Sequence, residues 1–147
     1  MIDSIGGIVI FVSNQVNAIE FYTQKLGFDI KGEYPYKNTK WVEVAPKNST
    51  TTISLMEPNI DMMTNEEIEQ AKKEIGTMTN FWFYTKNIND TYKELLEKGV
   101  HITEPKKQDW GGIMSQIKDQ DNNILKLISF KMNLFFRSAA FILIQPL

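Results

Sequence analysis

The sequence predicts an α+β fold of tandem βαβββ modules that form a curved mixed sheet, with a site where the halves meet. Three observations carry this. Residues 10–30 (IFVSNQVNAIEFYTQKLGFDI) lie over residues 82–102 (WFYTKNINDTYKELLEKGVHI) without a gap, and self-similarity at a fixed offset decides an architecture before any single element does. Each copy reads as an apolar strand, a polar turn, an amphipathic helix, a glycine stop and a second strand. Two further strand-like runs, set off by turn residues, follow in each half.

Residues 8–12 are apolar and β-branched, which suits a strand. Residues 14–17 supply capping side chains, and Ala18, Ile19, Phe21, Tyr22 and Leu26 then recur at helical spacing. Gly27 stands where a left-handed helix terminus needs glycine. Strands are expected at 28–33, 40–45 and 51–56, broken by Pro35 and by Pro46 with its polar neighbours. Residues 58–76 read as an acidic linker holding a short helix at 65–73, with Thr64 and Glu67 as a capping box. The second half repeats the order: a strand at 80–85, a helix at 88–98 stopped by Gly99, and strands at 100–103, 113–118 and 124–129. Residues 119–123 (DQDNN) form a turn, since Asp and Asn bond their own backbone. The expected organisation is one domain over 1–130 (modules 1–57 and 77–130, linker 58–76) and an apolar C-terminal extension over 131–147.

Composition bounds the function. A chain of 147 residues holds about one domain's core, and 42% hydrophobic with 23% charged residues is ordinary for a soluble protein. A net charge of -2 and a single arginine, Arg137, argue against nucleic acid as a partner. Without cysteine there are no disulfides, thiolate metal sites or thiol nucleophiles. The N-terminus has no basic segment of a signal peptide, so a cytoplasmic protein is expected.

Strand alternation sorts the side chains between two faces. Ile8, Ile10 and Val12 form the helix-facing set of the first strand, with Gly7, Val9 and Phe11 opposite. Phe81 and Phe83 pack under the second helix, leaving Asn80, Trp82 and Tyr84 opposite. Val42 and Val44 are buried, which puts Trp41 and Glu43 on the other face together with Ser54 and Lys126.

The motifs IGGIVIFVSN, AIEFYTQKLGF, KWVEVAP, LLEKGV, DWGG and DQDNNILKLIS, in this order and spacing, resemble the vicinal oxygen chelate superfamily. That superfamily includes glyoxalase I, the fosfomycin and bleomycin resistance proteins and extradiol dioxygenases. The resemblance spans residues 5–129 and implies paired curved modules around a cavity, and a homodimer formed side by side or by exchange of halves. It also implies where a metal would be held: just before the first strand run, in the fourth strand, at the start of the fifth and in the eighth. The matching positions here are Gly7, Ser54, Asn80 and Lys126. Glycine has no donor, Asn80 offers an amide oxygen, Ser54 a hydroxyl, and an ammonium has no lone pair for a cation. No metal and no cofactor are therefore expected. His101, the one histidine, falls in the sixth strand, away from those positions.

What remains is an aromatic cavity. Phe11, Trp41, Ser54, Met56, Asn80, Trp82, Tyr84 and Lys126 would line it, with Trp110 at a rim ahead of two glycines. Aromatic walls with a few polar groups are the usual composition of a small-molecule site. The same aromatics are also what an ordinary sheet core uses, and Lys126 could simply pair with Glu43. Catalytic candidates are confined to Lys126 and Glu43. The reading is a small-molecule binding or sequestering protein of the bleomycin-resistance kind. Its alternatives are a glyoxalase-type lyase or isomerase, or a dioxygenase, with a non-standard metal site or metal-free Lys/Glu chemistry. The extension 131–147, interrupted by Arg137, is shorter than the roughly 20 apolar residues a membrane span needs. It is expected to cover a partner surface, to anchor at an interface, or to be a non-native end.

Overall fold

Two sheets with one strand order underlie the molecule. The computed structural model describes residues 1–130, and the extension 131–147 lies outside the described residues. The first sheet holds β1 (Gly7–Phe11), β2 (Asp29–Tyr36), β3 (Thr39–Ala45) and β4 (Thr52–Met56) in the order β1-β4-β3-β2. The second holds β5 (Trp82–Tyr84), β6 (His101–Ile102), β8 (Gly112–Lys118) and β9 (Ile124–Phe130) in the order β5-β9-β8-β6, with the two-residue β7 (Lys106–Lys107) paired to β8. In each sheet the first strand runs parallel to the last, and the remaining pairs are antiparallel. The α+β fold of curved mixed sheets is as the sequence predicted. β7 was not foreseen, because two lysines carry no strand pattern.

Asn14 caps α1 (Gln15–Glu20) by accepting from the Asn17 N–H, and Asn87 caps α3 (Ile88–Glu97) by accepting from Asn89 and Asp90. Such caps hold orphan N–H groups and contribute about 1 kcal/mol each. Both helices stop at a glycine with φ of +72°, Gly27 and Gly99, a conformation that side chains resist. Gly27 stands 13 positions after its cap, whereas Gly99 stands 12 after its own. The halves are therefore not aligned without a gap. The extra residue is absorbed where α1 widens into a π turn (Phe21–Lys25), in which the Leu26 N–H reaches back to the Phe21 carbonyl.

Pro35 does not break a strand. β2 runs through it to Tyr36, and the turn falls at Lys37, whose φ is +49°. Proline is tolerated because β2 is the sheet edge and needs no further donor there. Between the halves lies α2 (Asn65–Glu74), opened by the expected reciprocal capping box of Thr64 and Glu67.

The helix-facing sets form one core. Ile10, Val12, Val42, Val44 and Leu55 from the first half join Ile88, Leu95, Ile117, Leu125 and Leu127 from the second. Each such burial contributes roughly 1.5–3 kcal/mol of transfer free energy. Phe28 meets Phe83 edge to face at 5.2 Å, so the aromatic contacts cross from one half to the other. Among the described residues no helix is long and apolar enough to cross a membrane.

Candidate functional site

The faces turned away from the helices carry most of the expected site residues. On the first sheet, register pairs Glu43 with Ser54 and Ser54 with Val9, while Trp41 pairs with Tyr34 and Phe11 with Met56. Trp41 donates its indole N–H to Glu43 Oε1 at 2.9 Å. Beside them opens a pocket of about 440 Å³, lined by Tyr34, Pro35, Tyr36, Trp41, Met56, Met62 and Met63.

Met62 and Met63 come from the segment between the halves and reach this pocket for a local reason. Asn59 Oδ1 accepts from the backbone of Asp61 and Met62, and the Asp61 carboxylate in turn takes the Asn38 N–H at the hairpin tip. The segment is thus tied down over the sheet, and the two thioethers follow. Sequence reasoning missed Tyr34, Tyr36, Met62 and Met63. The alternation of Tyr34 and Tyr36 was visible, but reading Pro35 as a strand break hid it.

On the second sheet the row equivalent to Val9–Ser54–Glu43 is Trp82–Lys126–Gln116. One row is acidic and the other basic. Further along, Phe130 packs against Tyr84 at 6.1 Å and against Trp110 at 5.7 Å. Trp110 lies over Gly112, where any side chain would collide with its ring. This face is open: Trp82 is 53% exposed, Tyr84 68%, Trp110 52% and Phe130 50%. Asn80 is exposed and lies ahead of β5 instead of within it.

The two sets are not brought together within the chain. Among the described residues no hydrogen bond, ion pair or ring contact links Phe11, Trp41, Glu43 or Ser54 to Trp82, Tyr84, Trp110 or Lys126. The Lys126–Glu43 pair considered from sequence does not form, because Glu43 sits on the other sheet and is engaged by Trp41. A second pocket, of about 210 Å³, lies at the junction of the halves among Phe28, Phe83, Tyr84, Leu95 and Leu127.

Residues 4–127 match the family model described as the Glyoxalase/Bleomycin resistance protein/Dioxygenase superfamily. The chain belongs to that superfamily. It is 32% identical over 129 residues to the uncharacterized protein YetH of Bacillus subtilis (strain 168), covering 86% of this chain and 98% of YetH. Among solved structures it is similar to UcmS2 (25% identity, TM-score 0.76, 87% of this chain and 98% of that one). It is likewise similar to TnmS3, an antibiotic binding protein from Streptomyces sp. CB03234 (25% identity, TM-score 0.72, 88% and 98%).

The positions that the resemblance assigns to a metal are held here by Gly7, Ser54, Asn80 and Lys126. A Cβ on Gly7 would stand 2.8 Å from both the carbonyl oxygen and Oγ1 of Thr52, so a ligating side chain has no room without a backbone shift. Ser54 is buried opposite Val9, and Lys126 brings a positive charge. Among the described residues, no three His, Cys, Asp or Glu side chains converge as a metal site. His101 is exposed on β6.

Elsewhere, one buried polar cluster ties the halves together. Tyr22, fully buried in the π turn, donates to Asp119 Oδ2 at 3.0 Å. Asp119 also accepts from Asn123 Nδ2 and from the backbone of Asp121 and Asn123. Next to it, Asp121 accepts from the backbone and hydroxyl of Ser13. Burial raises the Asp119 pKa, opposed by bonds from Asn123, Asp121 and Tyr22. Burial first, and then the Asp119 charge, raise the Tyr22 pKa well above the usual tyrosine range. The DQDNN turn expected from sequence thus also acts as a clasp.

Proposed function

We propose that this protein binds or sequesters a small, flat organic molecule without a metal, working in the cytoplasm as a homodimer. The observation that carries the reading is the pocket of about 440 Å³ walled by Trp41, two tyrosines and three methionines. Aromatic rings give large contact area at low entropic cost, and thioethers adapt to irregular outlines. That one similar structure is an antibiotic binding protein supports the same ligand class here.

The second sheet supplies a complementary surface. Trp82 and Tyr84 offer stacking faces, and Lys126 and Asn80 offer polar anchors. Since the chain does not bring its own two faces together, a second copy laying its second sheet over the first sheet of its partner would close the cavity. Exchange of halves is thereby favoured over side-by-side pairing. The poor metal-ligand chemistry at Gly7, Ser54, Asn80 and Lys126 removes the support for metal-dependent lyase or dioxygenase turnover.

The test is calorimetric titration with a panel of planar aromatic compounds and bleomycin, together with elemental analysis of protein purified without added metal. Micromolar binding that survives chelation is expected. A stoichiometric transition metal, or turnover abolished by a chelator, would sink the reading.

A further inference from the structure

Which charge the ligand carries is written into the first-sheet pocket. We propose that this pocket is an aromatic cage for a planar organic cation; the inference rests on the small-molecule reading above and narrows its ligand class.

Three aromatic side chains line the pocket. Tyr34 and Tyr36 alternate on β2, and Trp41 pairs with Tyr34 across the hairpin, so all three stand on one side of the sheet. Tyr34 lies over Gly32, where a side chain would collide with its ring, so the tyrosine packs down onto the sheet. The face of an aromatic ring carries negative potential and attracts cations, most strongly for indole. Here the indole is further biased, since its N–H donates to the Glu43 carboxylate at 2.9 Å. A donor bonded to an anion pushes electron density into its own ring, and the carboxylate itself adds a negative field. Met56, Met62 and Met63 complete the wall with polarisable sulfur.

The charges around the pocket can be assigned. None of its lining residues is an Asp, Glu, Lys, Arg or His. Lys40 is committed to an ion pair with Glu33. Lys37 bonds the Asp61 carbonyl and places its ammonium 5.3 Å from the Tyr36 ring centre, a like charge that occupies this ring and leaves Tyr34 and Trp41 to hold the ligand's charge. Lys126 stands on the other sheet; where a partner's second sheet closes the cavity its ammonium favours an anion, and the sulfonate compound below reads that competing pull.

Three compounds sharing one naphthalene ring separate the possibilities: trimethyl(2-naphthyl)ammonium, 2-naphthalenemethanol and 2-naphthalenesulfonate, each titrated calorimetrically into the full chain. The cation is expected to bind roughly tenfold more tightly than the neutral compound. Glu43→Gln, which keeps the side chain's shape, is expected to cut that ratio to about threefold or less. Trp41→Phe reads the same ratio through a ring without the N–H and decides the matter should E43Q misfold. Equal or tighter binding of the neutral or anionic compound overturns the cage while leaving a small-molecule protein. An unchanged ratio in both variants overturns it too. Binding by none of the three removes the cage, and the wider panel then decides the small-molecule reading by itself.

Discussion

The two halves share a strand order and differ in almost everything their open faces carry. Where the first sheet places Val9, Ser54 and Glu43 across three strands, the second places Trp82, Lys126 and Gln116. Where Tyr34 faces Trp41, Lys106 faces Met114. Their buried faces stay alike, with Val42, Val44 and Leu55 on one side and Ile117, Leu125 and Leu127 on the other. Packing constrains a core position to be apolar and of suitable volume, so both copies keep similar residues. An open face has no such constraint and is shaped by what it touches. The divergence between the halves therefore falls on the surface proposed above to bind the ligand.

The largest test of this comparison attacks what joins the halves. Tyr22→Ala empties a fully buried ring site and is expected to cost about 4 kcal/mol in urea unfolding, enough to threaten the fold. Tyr22→Phe keeps the ring, loses the bond to Asp119, and is expected to cost about 1–2 kcal/mol. Next comes a pair of equivalent positions. Gly7→Ala drives a methyl against Thr52 and is expected to cost about 1–3 kcal/mol, while Asn80→Ala, exposed ahead of β5, stays within about 0.5 kcal/mol. Comparable losses at both would show that Gly7 is not sterically special.

Ligand affinity gives a smaller effect. Trp41→Ala is expected to weaken a planar ligand about tenfold, or about 1.4 kcal/mol, measured by calorimetry. The gentlest test is pH. Folded Tyr22 holds its proton more tightly than the unfolded chain does, so the clasp is intact below pH of about 10 and loses stability as pH rises beyond it. Tyr22→Phe should flatten that alkaline slope. A steeper slope in the variant would remove Tyr22 as its source.

How much of this was legible follows from what each residue answers to. Helix stops at Gly27 and Gly99, the Thr64 capping box and the buried alternation of β1, β3 and β9 are local signals, and a sequence displays them directly. The π turn was hidden because one surplus residue leaves both glycines and both helical patterns in place. Tyr34 and Tyr36 were masked by Pro35, whose meaning depends on β2 being an edge, a fact of sheet order. Met62 and Met63 reach the pocket only through the Asn59 and Asp61 bonds, and no periodicity announces such a detour. The grouping of Trp41 with Trp82 into one site assumed that one chain closes its own cavity. The described chain leaves those faces apart.

The clasp between Tyr22 and Asp119 also sets a clock. Its partners lie 97 positions apart, and Ser13 and Asp121 lie 108 apart. At a synthesis rate of roughly 5–20 residues per second, about 5–20 s pass between the emergence of one partner and the other. Until Phe83 and Ile88 emerge, the nascent first half has none of the second half's core to pack against. The joint that makes the finished protein cohere is thus delivered late, just ahead of β9, and the newborn chain stays exposed to misassociation until it closes.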